Sequence, residues 1–248
     1  MERMADFHFT QQKLDNDLVW SISTLLDSIG VPNLLWGNYL LTVYGVPTIV
    51  DEAAFVVPDD LAQAVFSSLM NAGFLPCNES SGCPHSGTFG VPTIFRHLHI
   101  NDELAVSLYQ KSDVLWEFED LDLLPDENPD IMLASDDRLP SASLGRGRGR
   151  FLSHPCAVKI PCAMSYCEAL ILLLCRDRDS ICESYWLAIL SYMLEYVDGT
   201  DILDENKLQE GYRKFYHAIK LGDPAIYSTL NELRLSLIEE RRLPVKIY

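Results

Sequence analysis

The sequence is poor in basic residues for its size. Its 248 residues contain 19 Lys and Arg against 36 Asp and Glu, which gives a formal net charge of -17. Binding along a nucleic acid requires clustered Lys and Arg that neutralise phosphates. Broad nucleic-acid binding is therefore not expected, although a local basic group could bind a single nucleotide or another small anionic ligand.

Long apolar runs are also missing. A membrane-spanning helix requires about 18 to 20 consecutive apolar residues, and no such run is present. The N-terminal letters MERMADFHF include charges where a secretory signal would need an apolar core. We therefore expect a soluble, cytoplasmic protein with no membrane partner, and its 48% hydrophobic composition predicts an ordinary globular core.

The seven cysteines lack the spacing of a zinc ribbon. Cys77 and Cys83 have no second cysteine pair to complete such a site. The other cysteines are scattered through apolar segments. This pattern is typical of reduced, mostly buried thiols in a cytosolic protein.

The most informative stretch is Trp36–Asp60. It contains a Gly37-Asn38 turn, a short apolar helix, a second turn, the acidic pair Asp51-Glu52 and an apolar strand over 53–57. Glycine allows the backbone to approach a phosphate, and carboxylates across the turn could hold a hard divalent cation. The spacing predicts a phosphate-and-metal site.

In this stretch the sequence resembles the nucleotidyltransferase superfamily with the DNA polymerase beta-like fold. The likeness is to its divergent form in bacterial abortive-infection proteins and fungal proteins. That family has Gly-Gly or Gly-Ser opening a helix, then acidic-x-acidic at a strand, and a third carboxylate on a later strand. Here Gly37-Asn38 matches the first part and Glu52 the first carboxylate, whereas Ala54 and Ser107 occupy the places of the other two.

The resemblance implies an α+β fold, with a nucleotidyltransferase-like mixed sheet flanked by helices and followed by a helical C-terminal part. We assign residues 1–150 to the α/β domain, with an extra N-terminal helix, and residues 151–248 to the helical domain. The resemblance also implies a Mg²⁺ ion, held only weakly by Glu52. Asp51, Asp102 or Glu103 could replace the missing ligands only if the register were shifted.

Two strands are predicted over 93–100 and 104–110, joined by a tight turn at Asn101-Asp102. Alternation places His97 and His99 on one face of the first strand. Two histidines could bind a metal with a third ligand, or they could be ordinary strand histidines with satisfied hydrogen bonds. Both interpretations remain open.

An acidic segment is followed at once by a basic one. Residues 117–137 hold nine carboxylates and no Lys or Arg, which is typical of a solvated loop. Arg146, Arg148 and Arg150 then alternate with glycines, before a strand predicted over 151–160. An extended backbone would place the three guanidinium groups on one face, where they could bind an anion; alternatively, they pair with the preceding carboxylates.

Helical periodicity predicts the remaining elements. A first helix is expected over 10–28, capped by Thr10, and another over 60–72. Four helices are expected after Pro161, over 163–175, 180–197, 204–221 and 223–240.

Three functions are open at this point. The degenerate carboxylates favour a pseudoenzyme that binds a nucleotide or another anionic ligand, with Gly37, Asn38 and the three arginines as its contacts. The alternative is an active Mg²⁺-dependent nucleotidyltransferase, with Glu52 and Asp51 as catalytic residues. An unrelated reaction in the same cleft would use His97, His99 and Ser107 for acid-base work.

Overall fold

A computed structural model describes residues 7–78, 83–85, 92, 94–119, 121–122, 127–152 and 158–244. These residues form two compact units. The first ends at Pro161 and the second begins at Cys162, with Pro92 grouped with the second. No helix in the described part of the chain is long and apolar enough to cross a membrane.

The first unit is built on a mixed five-stranded sheet. Its strands are β1 (Leu34–Trp36), β2 (Glu52–Val57), β3 (Leu75–Pro76), β4 (Arg96–His99) and β5 (Ala105–Gln110), in the order β1-β2-β5-β4-β3. The β2–β5 pair is parallel and the other three pairs are antiparallel. A smaller sheet pairs β6 (Ile131–Leu133) with β7 (Lys159–Pro161).

The described part of this unit contains four helices: α1 (Asn16–Ser28), α2 (Gly37–Val43), α3 (Ala62–Asn71) and α4 (Lys111–Val114). The second unit contains α5 (Ala163–Arg176), α6 (Glu183–Tyr196), a 3-10 turn (Glu205–Lys207), α7 (Glu210–Lys220) and α8 (Ile226–Glu239). The predicted α+β class, with a mixed sheet flanked by helices and a helical C-terminal part, is confirmed.

The sheet forms where its sequence is most apolar. Residues 53–57 of β2 and 105–109 of β5 are all buried, as expected for strands covered on both faces. The predicted turn between β4 and β5 is also confirmed, because the Asn101 side chain accepts hydrogen bonds from the backbone N–H groups of Glu103 and Leu104. This local turn fixes the register of β4 against β5.

Several predicted boundaries are wrong. The first helix begins at Asn16, because the Asp15 carboxylate, rather than the Thr10 hydroxyl, accepts from the first free N–H groups. The helix predicted over 204–221 is divided, because Asp204 caps a separate 3-10 turn and Gln209 is extended before α7. The strand predicted over 151–160 begins only at Lys159 among the described residues, and 153–157 lie outside them.

The second unit contains a buried ion pair. Asp177 is 1% exposed and accepts from the Arg176 guanidinium at 2.7 and 2.8 Å and from the Trp186 indole N–H at 2.9 Å. Arg176 is itself almost fully buried. Removing one member of such a pair leaves the other charge unpaired away from water.

Candidate functional site

The parallel pairing of β2 with β5 brings the predicted site residues together. Ala54 is the register partner of Ser107, and Trp36 of β1 lies opposite Ala54 on its other side. Glu52 begins β2, two residues before Ala54, so both side chains lie on one face. The Ser107 hydroxyl donates a hydrogen bond to the Glu52 carboxylate.

Gly37 lies directly against this pair. A Cβ placed on Gly37 would lie 3.3 Å from the Ala54 Cβ and 3.5 Å from Glu52 Oε1, and its φ of +67° favours glycine. Asn38 follows it as a half-buried residue in α2. Gly37, Glu52, Ala54 and Ser107 therefore lie at one place beside the sheet.

The environment of Glu52 favours its neutral form. Removal from water raises the pKa of Glu52 to about 7, the hydrogen bond from Ser107 opposes this rise, and the charge of Asp51 adds to it. At neutral pH the carboxyl is therefore divided between its acid and its carboxylate. A protonated carboxyl can donate a hydrogen bond to an anion, which a carboxylate cannot do.

The residues present do not fit a two-metal site. In the observed pairing of β2 with β5, Ala54 offers no ligand, and Ser107 offers a neutral hydroxyl that already bonds to Glu52. Asp102 and Glu103 lie in the exposed β4–β5 turn, and Asp51 is exposed before β2. Magnesium prefers anionic oxygens in octahedral geometry, and Glu52 alone supplies little of that.

The glycine-arginine segment packs on the C-terminal end of α2. Gly147 N–H donates to the Gly45 carbonyl and Gly149 N–H donates to the Thr42 carbonyl, both at 2.9 Å. A Cβ on Gly147 would lie 2.4 Å from the Thr42 carbonyl oxygen, so only glycine fits there. The segment is therefore held in place rather than freely extended.

The three arginines have different surroundings. The Arg148 guanidinium lies 4.9 Å from the centre of the Tyr39 ring, in the same helix as Gly37. Arg150 pairs with Asp137 at 2.8 Å, and Arg146 is exposed. Arg150 therefore pairs with a preceding carboxylate, which is one of the two arrangements predicted for the arginines. Arg148 lies beside α2 instead.

His97 and His99 belong to a second group of side chains. Their ring nitrogens and the sulfur atoms of Cys77 and Cys83 all lie within 4.8 Å of one another. This group was not predicted from the sequence, because Cys77 and Cys83 lack the second cysteine pair of a zinc ribbon. The pattern Cys-x5-Cys followed by His-x-His was the available signal.

Comparisons with known proteins give only distant likenesses. No protein-family model matches the sequence, and no curated protein matches it. Among solved structures, the chain is similar to the antibiotic-resistance factor ANT(2'')-Ia, with 12% identity, a TM-score of 0.35 and coverage of 89% of each chain. It is also similar to an antigenic nucleotidyltransferase-like protein from Paracoccidioides brasiliensis, with 13% identity, a TM-score of 0.39 and coverage of 87% of this chain and 91% of that one.

Proposed function

We propose that this protein binds a nucleotide or another small anionic ligand beside Glu52 and performs no metal-dependent nucleotidyl transfer. The observation that supports this most strongly is the hydrogen bond from Ser107 to Glu52. Through this bond the neutral Ser107 hydroxyl engages the Glu52 carboxyl. Ser107 stands where a catalytic member of the family would have a third anionic ligand.

The burial of Glu52, rather than this bond, explains why an anion could be accepted in an acidic protein. A site with three carboxylates needs two cations before it tolerates phosphate. Here Glu52 has a pKa of about 7, so its negative charge is partly lost at neutral pH. Arg148, positioned over Tyr39, supplies a positive charge beside the helix that Gly37 begins.

Catalysis would require groups that the site does not have. Removing a single electrostatic contact to the transition state commonly costs about 10² to 10³ in rate, and two anionic positions are substituted by Ala54 and Ser107. Mg²⁺ is proposed to bind weakly and to be unnecessary for ligand binding. We propose a cytoplasmic location for this binding, because the cysteine pattern is typical of reduced thiols in a cytosolic protein.

Calorimetry tests the binding. Each of ATP, GTP, CTP and UTP is titrated into the full chain with and without magnesium, and into an Arg148→Gln variant. We expect at least one nucleotide to bind without magnesium, and to bind more weakly to the variant. An Arg150→Gln variant is the matched control, because Arg150 already pairs with Asp137. Absence of binding by all four nucleotides would argue against a nucleotide ligand.

A transfer assay tests the second half of the proposal. The protein is incubated with each nucleotide, magnesium or manganese, and candidate acceptors, beside a Glu52→Gln variant. We expect no turnover above background. Robust turnover that is lost in the variant would identify an active nucleotidyltransferase and would show that Glu52 acts with ligands other than those assigned here.

A further inference from the structure

We propose that Cys77, Cys83, His97 and His99 form a tetrahedral zinc site that joins the chain after β3 to strand β4. The four candidate ligand atoms lie within 4.8 Å of one another. Two thiolates and two imidazoles are a common ligand set of structural zinc, and Cys and His side chains select this metal over magnesium or calcium.

The register of the sheet explains why these residues converge. Leu75 pairs with His99 and Pro76 with Leu98, so the continuing antiparallel register places Cys77 opposite His97. His97 and His99 lie two residues apart in β4 and therefore share one face. Two of the four ligands thus lie in β4, and Cys77 directly follows the strand paired with it.

Cys83 completes the set from a separate segment. Its sulfur lies 3.2 Å from Nε2 of His97 and 3.7 Å from Nε2 of His99. With Zn–S near 2.3 Å and Zn–N near 2.0 to 2.1 Å, a tetrahedral site separates sulfur from nitrogen by about 3.6 Å. The two distances lie on either side of this value, so Cys83 lies at about the distance from both histidines that a shared zinc ion requires.

The surroundings favour a structural metal rather than a catalytic one. His97 is buried and the other three ligands are half-buried. All four positions of a tetrahedral ion are filled by protein, which leaves no open position for water or substrate. Two thiolates also balance the charge of Zn²⁺, and binding releases the two thiol protons.

The neighbouring His85 provides a contrast. Its ring lies 5.7 Å from that of His97, but its Nε2 lies 3.1 Å from the Glu103 carbonyl oxygen and is engaged there. His85 therefore lies beside the cluster without belonging to it. The assignment also uses both strand histidines as ligands, and Ser107 remains with Glu52 rather than joining them.

Metal content provides the first test. The full chain is produced in zinc-supplemented medium, desalted and analysed by inductively coupled plasma mass spectrometry. We expect about one zinc ion per chain, and loss of that ion in the Cys77→Ser/Cys83→Ser double variant. Cys182→Ser, which removes a half-buried thiol of the second unit, and His85→Asn are the controls expected to keep the ion.

A spectroscopic test does not depend on the variants folding. X-ray absorption of the zinc-loaded wild-type protein should show about two sulfur ligands near 2.3 Å and two nitrogen ligands near 2.0 to 2.1 Å. Cobalt substitution should give the intense visible bands of a tetrahedral thiolate site. Failure of the wild-type protein to retain zinc, retention of zinc by the double variant, or an oxygen-rich six-coordinate shell would each overturn the assignment. Nucleotide binding is measured separately, so either proposal can fail alone.

Discussion

Replacing Glu52 with Gln should make the protein more stable at pH 8, although it removes the retained carboxyl of the candidate site. The pKa of Glu52 is raised from its ordinary value of 4.5 to about 7, first by removal from water. Between these two values the folded state binds more protons than the unfolded state. The free energy of unfolding therefore falls as pH rises through that window, and the loss is complete above pH 7.

The size of the effect follows from the same two values. The difference between 4.5 and about 7 corresponds to roughly 3 kcal/mol, at about 1.36 kcal/mol for each pH unit. The glutamine side chain is neutral at every pH and keeps nearly the same shape. We expect Glu52→Gln to be more stable than the wild type by less than about 1 kcal/mol at pH 5 but by about 2 to 3 kcal/mol at pH 8.

Urea unfolding at the two pH values measures this difference without added nucleotide. Glu103→Gln is the matched control, because Glu103 is exposed in the β4–β5 turn, and it should change stability little at either pH. If Glu52→Gln shifted stability equally at pH 5 and pH 8, or lowered it at pH 8, the description of Glu52 as a destabilised carboxylate would be refuted.

Three further predictions concern other contacts. Ser107→Ala removes the hydroxyl that donates to Glu52, so it should lower the free energy of unfolding at pH 8 by about 1 to 3 kcal/mol, measured in urea. An unchanged free energy of unfolding would argue against this hydrogen bond. Arg150→Gln should change the free energy of unfolding by only about 0 to 1 kcal/mol, because its partner Asp137 is exposed. In calorimetry, this variant should keep its nucleotide affinity, whereas Arg148→Gln should bind nucleotide more weakly. Asp177→Asn should destabilise the second unit by about 3 to 5 kcal/mol, seen as a lower melting temperature, and a neutral result would contradict the buried pair.

The sequence predicted the centre of the sheet because its signals are local. Apolar runs identify β2 and β5, and the Asn101 turn fixes the approach to β5. The resemblance then supplied what periodicity cannot, namely that Ser107 of the later strand is expected at the same site as Glu52 and Ala54. The structure places Ser107 beside them, as the partner of Ala54.

Features that depend on tertiary contacts were predicted less well. The start of α1 was misplaced because both Thr10 and Asp15 are good capping residues, and only the structure shows which one meets the free N–H groups. The cysteine-histidine cluster was missed because Cys83 approaches β4 from a different segment. The spacing Cys-x5-Cys before His-x-His indicates the possible ligand set, but it does not show that Cys83 lies against β4.

Because the glycine-arginine segment is packed against backbone atoms, some of its positions should tolerate no amino-acid substitution. A flexible linker would accept almost any small residue at each glycine. In this segment, Gly147 and Gly149 lie so close to backbone atoms that an added Cβ would come within 2.4 and 2.5 Å of carbonyl oxygens, whereas nothing lies within 4 Å of the Cβ position of Gly145. In a saturation library selected for folded protein, Gly147 and Gly149 should be depleted of every substitution. Gly145 should be depleted less strongly, because its φ of +76° disfavours other residues although no atom would meet an added Cβ.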